Sequence, residues 1–499
     1  MEKSINVYKD IRKQLNAFKY AMTIISWDSS TEAPKGCFED RGNQVGVLSE
    51  LEYKLKTSNE FVSVVNELFA NKENLDELMK HEIEVVKKEM DATLKIPMKE
   101  FIEFQVLMAS SQEIWAQSKE KNDFNLFKPT LSKIVDFMRK YVKYLETDKV
   151  KGYDVLLDNY EPKFSTKEYD EFFELLKEKL VPFFKKVANK KLDYNSSFNN
   201  LTYDRNKQKI YCEYLMDVLC FDRNHGLMKE SVHPFTTGTG TSDVRFTVNY
   251  HEDDFTSAFF SAIHELGHAI YEQQIDPTLN ETFMAGGASM GIHESQSRMF
   301  ENMIGRSYEF WETHFPKLKE IFSDNLKDVT VDDFYKFVNN VEASFIRIEA
   351  DELSYPLHIM LRYDLERALI NKEIEVDNLE EEWNKLFYQY FGLKVSKAND
   401  GVLQDVHWSG GMFGYFPTYA LGSAYAAQIY HHMDKEININ EVIKTKTTKQ
   451  INEWLKNKIH KFGASLYPKE IIKIATNEDF NPEYYVNYLI EKYSKIFNI

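Results

Sequence analysis

The segment SAFFSAIHELGHAIYEQQ (residues 257–274) sets two imidazoles four residues apart, with a glutamate directly after the first. On a helix, His264 and His268 differ by about 40° around the axis, so both rings can reach one cation. Glu265 lies one step round the helix, where it can accept a proton from water beside that cation. Phe259, Ile263, Leu266 and Ile270 fall between about 200° and 260° from His264. One face can therefore enter a core while the other presents the imidazoles to a cavity. A third ligand is required, and GGASMGIHESQSRMFEN (286–302) offers Glu294. On a helix, Glu294, Arg298 and Glu301 share a face, and the chain between His268 and Glu294 suffices for a loop and an antiparallel return. Two His, one Glu and an open fourth position make a hydrolytic zinc centre. The plainer reading of Glu294 and Arg298 is an i, i+4 ion pair. His293 projects elsewhere on the helix and is read as structural.

The elements that must hold this centre are mostly helical. Long stretches carry Leu, Lys, Glu, Phe and Met at helical spacing, with only 19 glycines and 12 prolines in 499 residues. Residues 1–190 read as successive amphipathic helices broken at YEPKFS (160–165), and 190–204 is the most loop-like stretch, a candidate boundary between two lobes of a single domain. Another helix follows from 205 to about 225. In HPFTTGTGTSDVRFTVNYHEDD, Val244, Phe246, Val248 and Tyr250 alternate with polar residues, which predicts a half-buried edge strand over 243–250. That strand could accept a peptide as a further strand, and such pairing is largely indifferent to side chains. The TGTG before it lacks the Gly-Lys-Ser/Thr ending of a phosphate loop and reads as a turn. The expected fold is mainly α, with a small sheet beside the HEXXH helix.

Composition narrows the partners. A formal net charge of −17 argues against nucleic acid, which calls for clustered Lys and Arg. No apolar run reaches the length of a membrane span, and the N-terminal segment lacks a signal-peptide core. Cys37, Cys212 and Cys220 suggest no disulfide framework; the last two, on one helix, would stand about 12 Å apart. Reduced thiols fit a cytoplasmic location.

Six patches in order carry a wider resemblance: HPF (233–235), DVRFT (243–247), HELGH (264–268), HESQ (293–296), IRIEAD (346–351) and GVLQDVHW (401–408). SWDSSTEAP (26–34) and GYFPTYALGSAYAAQ (414–428) add to it. Together they resemble the carboxypeptidase Taq (M32) metallocarboxypeptidases over nearly the whole chain. The resemblance implies a zinc- or cobalt-dependent exopeptidase of broad preference acting on peptide C-termini. It also implies a helical, saddle-like fold with a deep groove, usually as a homodimer. It makes His264, His268 and Glu294 the metal ligands and Glu265 the general base. Lys229 departs from the pattern, standing where the family usually has an acidic residue.

A carboxypeptidase must also hold a terminal carboxylate, for which a guanidinium fork is suited. Arg347 and Arg362 lie near one helical face, about 22 Å apart along a continuous helix, so both could not hold one carboxylate. Arg347 is the preferred anchor, against the plainer reading of an ion pair with Asp351; Arg245 and Arg362 are the alternatives. His407, Tyr415 and Tyr419, on a Gly-rich segment, are candidate donors to an oxyanion, and His233 a candidate peptide contact. Two rival functions remain: an endo-acting oligopeptidase with the same centre, and a non-catalytic peptide-binding protein, against which Glu265 speaks.

Overall fold

The computed structural model describes all residues 1–499. The first helices are α1 (Glu2–Thr31), α2 (Phe38–Lys56), α3 (Asn59–Ala70), α4 (Glu77–Lys95), α5 (Met98–Lys121) and α6 (Phe124–Leu145). A single turn, α7 (Asp154–Leu157), precedes α8 (Thr166–Ala188) and α9 (Arg205–Val218). The three strands follow, β1 (Gly226–Glu230), β2 (Thr236–Gly238) and β3 (Val244–Val248). Then come α10 (Phe255–Gln274), α11 (Met290–Arg298), α12 (Tyr308–Ile321), α13 (Val331–Val338) and α14 (Tyr355–Ile370). The chain closes with α15 (Leu379–Phe391), α16 (Pro417–Ile437), α17 (Ile439–Lys444), α18 (Lys449–Lys458), α19 (Pro468–Thr476) and α20 (Glu483–Phe497). No helix is long and apolar enough to cross a membrane.

The sheet order is β1-β3-β2, with β1 parallel and β2 antiparallel to β3. The strand expected at an edge is thus the central one, and both of its flanks are taken. A peptide cannot pair with it; the free edge beside the helix carrying the histidines belongs to β2. Val244, Phe246 and Val248 are buried as the alternation predicts, but Thr247 is buried too. Its hydroxyl accepts from the Phe235 amide (3.0 Å) and from Ser231 Oγ (2.6 Å), tying HPF to DVRFT. Lys229, on β1, pairs with Glu32.

Helix α10 starts where Asp254 accepts the Ser257 amide at 3.2 Å, an N-cap that satisfies one of the first free N–H groups. Its apolar stripe, with Phe259, Ile263, Leu266 and Ile270, is buried. Helix α11 lies between α10 and α16 at glycine-limited distances. A Cβ on Gly267 would meet Ser297 Cα at 2.7 Å, and one on Gly422 would meet Glu294 Cβ at 2.7 Å. The carboxylate of Glu161 accepts the Gly291 amide at 3.0 Å at the start of α11, where burial lifts it to about 7. Beyond Arg298 the coil widens into a π-helical segment, Met299–Ile304. Cys220 lies past the end of α9 rather than on it, and all three thiols are free.

Candidate metal centre

Helices α10 and α11 bring His264, His268 and Glu294 together, with their donor atoms all within 4.8 Å of one another. Glu294 Oε2 stands 3.6 Å from His264 Nε2 and 3.4 Å from His268 Nε2. Donors about 2.0–2.1 Å from a tetrahedral zinc ion lie about 3.3 Å apart, so this spacing fits that ion. The other imidazole nitrogens are engaged. Glu301 Oε2 accepts from His264 Nδ1 at 2.9 Å. His268 Nδ1 meets His293 Nδ1 at 2.5 Å, and His293 Nε2 meets Glu272 Oε1 at 2.7 Å. With His268 coordinating through Nε2, its Nδ1 proton is donated to His293, whose Nε2 proton is donated to Glu272. Both imidazoles are thus oriented through a carboxylate, one directly and one through His293. His293 stands outside this triad and contacts the ring of His268.

Arg298 binds both acids of the cluster, Nε to Glu294 Oε1 (2.7 Å) and Nη1 to Glu301 Oε2 (3.3 Å), and its guanidinium lies 4.2 Å over the Tyr355 ring. Burial alone would raise Glu294, but Arg298 and His264 outweigh it and hold its carboxyl well below the usual range. Glu301 is brought down to about 2 against the same burial, chiefly by Arg298. Burial pushes His268 down to about 3, which keeps it neutral and able to coordinate. Burial opposes a charge on His264 too, yet Glu294 and Glu301 raise it: the cluster draws positive charge inward, as a cation site does.

Glu265 is buried, and burial raises its carboxyl. Thr236, on β2, donates its hydroxyl to Glu265 Oε2 at 2.6 Å. A cavity of about 640 Å³ opens beside these groups, its wall including Phe260, His264, Glu265, Arg298, Arg347 and Tyr355.

The comparisons with known proteins decide what this arrangement belongs to. A family description, carboxypeptidase Taq (M32) metallopeptidase, matches residues 7–493. The chain belongs to this family. Carboxypeptidase 1 of Bacillus subtilis (strain 168) is 39% identical over 489 residues, 98% of this chain and 97% of that one. Thermostable carboxypeptidase 1 of Pyrococcus furiosus is 36% identical over 484 residues, covering 96% of both. Among solved structures, that of the M32 carboxypeptidase from Deinococcus radiodurans R1 has a TM-score of 0.94 at 29% identity, covering both chains in full. A carboxypeptidase structure from Pyrococcus furiosus also has a TM-score of 0.94, at 35% identity over 99% of each chain.

Elsewhere in this M32 metallocarboxypeptidase, two expectations about arginines are corrected. Arg347 sits in a 3-10 turn (Arg347–Glu349), and α14 begins only at Tyr355, so no continuous helix separates Arg347 from Arg362. Both guanidiniums bind one carboxylate, that of Asp405. Arg347 donates to Oδ1 through Nε (3.0 Å) and Nη2 (2.9 Å), and Arg362 Nε donates to Oδ2 at 2.7 Å. Asp351 is not the partner of Arg347. It accepts from the Ser354 amide (2.9 Å) and hydroxyl (2.8 Å) at the head of α14, and burial raises it to about 6. Arg362 is fully buried behind Arg347 and does not line the cavity. Arg245 makes a two-point pair with Asp243 (2.7 and 2.8 Å) and lies 5.6 Å over Trp27, itself edge-on to Phe235. Its fork is occupied, and it joins SWDSSTEAP, HPF and DVRFT into one corner.

His407, Tyr415 and Tyr419 cluster as expected of one segment: His407 stacks 5.6 Å from Tyr415, and Tyr415 meets Tyr419 edge-on at 5.1 Å. They adjoin the cavity through Tyr355, which faces Tyr419 at 6.4 Å and accepts from Arg347 Nη1 at 3.2 Å. His233 is exposed on the β1–β2 connection. Thr236, Glu272, Glu301 and Tyr355 join this cluster without being singled out by the sequence. Only Glu301 left a signal, through its helical face shared with Glu294.

Proposed function

We propose that the chain removes residues one at a time from free peptide C-termini, with broad preference, at a zinc centre held by His264, His268 and Glu294. The observation that carries this reading is a donor triad whose His264 opens, with the buried Glu265 and Arg347, onto one cavity. The bound ion, with cobalt as an alternative, would polarise the scissile carbonyl and acidify water beside it. Glu265 takes the water's proton on Oε1, since Oε2 is held by Thr236, and delivers it to the leaving amine. Arg347 receives the terminal carboxylate with a guanidinium already oriented by Asp405. Tyr355 on the cavity wall, backed by Tyr419, Tyr415 and His407, supplies the hydroxyl side on which an oxyanion develops. The free edge of β2 aligns the peptide backbone without reading its side chains, in keeping with broad preference. The enzyme acts as a homodimer in a reducing compartment, which the three free thiols suit.

The test is a peptide ladder offered with a free and with an amidated C-terminus, followed by mass spectrometry of the products. Stepwise loss from the free end, abolished by amidation and by chelation, is expected. Internal cleavage of the amidated peptide would mark an endopeptidase. Glu265→Gln should keep zinc bound while lowering kcat by about 10²–10⁴, the range of general-base catalysis; full turnover by that variant would remove Glu265 from its role.

A further inference from the structure

Arg362 does not reach the cavity, but it shares the carboxylate of Asp405 with Arg347, which does. Nη1 donates to the His358 carbonyl at 2.6 Å, and the guanidinium stacks over Trp383 (4.8 Å) and Phe416 (5.3 Å). Phe416 also lies 5.6 Å from the guanidinium of Arg347. Two arginines on either side of one carboxylate leave an excess of positive charge in a buried place. The neighbouring imidazoles do not change that count. Burial and then Arg347 push His407 down to about 4, and burial and then Arg362 push His358 far below its usual range, so both are neutral. No second carboxylate pairs with either guanidinium. A further acid within the field of Arg362, Glu366, is bonded instead to Tyr153, Trp408 and the Gly414 amide, and burial raises it to about 7.

A lone Arg347–Asp405 pair would be electrically closed and would offer little to an incoming anion. A second buried guanidinium is a costly addition if only the fold is served, because an apolar residue of similar size would do as well. We propose that Arg362 and Asp405 are positioning residues for substrate: Asp405 fixes the fork of Arg347, and Arg362 supplies the surplus positive charge that the terminal carboxylate of a peptide neutralises. This rests on the reading that Arg347 receives that carboxylate.

The experiment compares wild type with Arg362→Met, Arg362→Gln and Arg362→Lys by Michaelis kinetics on an N-acylated dipeptide. It also measures inhibition by acetohydroxamate, which has no carboxylate and probes the metal centre alone. Removing one nearby charge in a partly desolvated site should raise KM by about 10- to 100-fold for the Met and Gln variants. kcat should change far less, the acetohydroxamate Ki should stay at the wild-type value, and Arg362→Lys should recover most of the KM. Should the Met variant fail to fold, the Gln variant keeps a donor to Asp405 and loses the same charge. A folded, active Gln variant with wild-type KM overturns the proposal, as does a parallel rise in KM and in the acetohydroxamate Ki. If wild type cleaves amidated and free dipeptides alike, the reading of Arg347 falls and this proposal with it. A strict need for the free acid together with an unchanged KM in the variants sinks the surplus charge alone.

Discussion

Single side chains in this enzyme are held by partners far away in sequence, and Glu366 shows what that does. Its two oxygens accept from Trp408 Nε1 (2.7 Å), Tyr153 OH (2.6 Å) and the Gly414 amide (2.7 Å), so one carboxyl pins both ends of the Gly-rich turn that follows His407. Burial raises it to about 7 from an ordinary value near 4.5. Between those two pH values the folded state holds more protons than the unfolded one, so stability falls as pH rises through that window and levels off above it. Glu366→Gln removes this slope, apart from a constant offset for the changed hydrogen bonds. Relative to wild type, the variant should gain on the order of 3 kcal/mol from pH 4.5 to pH 7.5. Denaturant melts across that range check it, and two parallel stability curves would contradict a titrating Glu366. At this scale the sequence speaks only where partners share one element. HELGH announces itself because helical periodicity puts His264, His268 and Glu265 on neighbouring faces. Thr236 meets Glu265 from a strand and Tyr355 meets Arg298 from another helix, and no period links them. Asp405 carries no sign of its role within GVLQDVHW, because the pairing with Arg347 and Arg362 exists only once the chain leaves helical form between 350 and 354.

Among elements, the decisive contact is the burial of α11 between α10 and α16. The sequence foretold α10 and the helix bearing Glu294, since both have a clear apolar face. It did not foretell β1, whose GLMKE lacks alternation, nor that β3 would be central, because strand order depends on pairing across a connection and not on local pattern. It also read Glu301 onto an ideal α-helix. The observed π-helical segment widens the turn, and Lys492 on α20 donates to the Asn302 carbonyl at 3.1 Å within it. Gly422 lets α16 press against Glu294 with no side chain between them. Gly422→Ala must therefore push α11 away and move Glu294 with it. Overpacking of this kind costs about 1–3 kcal/mol, and with Glu294 in the proposed ligand role its displacement should weaken the binding of added zinc by roughly 10- to 100-fold, as loss of ligand support does. Zinc titration and thermal melts of the metal-free protein measure both. Unchanged zinc affinity would mean that α16 does not set the position of Glu294.

The molecule as a whole holds two hydrophobic cores of very unequal size. One, of 107 residues, runs from α6 to the C-terminal helix without a gap at 190–204, where Phe198 and Tyr203 are fully buried. The other, of 11 residues, is built by α1, α3 and α4 alone. The loop-like stretch at 190–204 contributes Phe198 and Tyr203 to the larger core, and the smaller core belongs to the N-terminal helices. Composition could not reveal it, because both parts are helical and amphipathic alike. Phe283 packs against both cores, and the smaller is tied to the same loop by Glu82, which accepts from Arg12 (2.7 Å), Tyr8 (3.1 Å) and the Phe283 amide (3.1 Å). A core this small opens at less cost than the main body, since local stability follows the apolar area that opening exposes. Arg12→Met leaves Glu82 buried without its cation, at a cost of about 3–5 kcal/mol that proton uptake by Glu82 lessens. Hydrogen exchange should then speed up in α1, α3 and α4, while amides of α10, α11 and α16 keep their protection and zinc affinity stays within about twofold, as for sites without shared partners. Exchange that accelerated evenly over all helices would show a single cooperative unit, and the two cores would then be one in all but geometry.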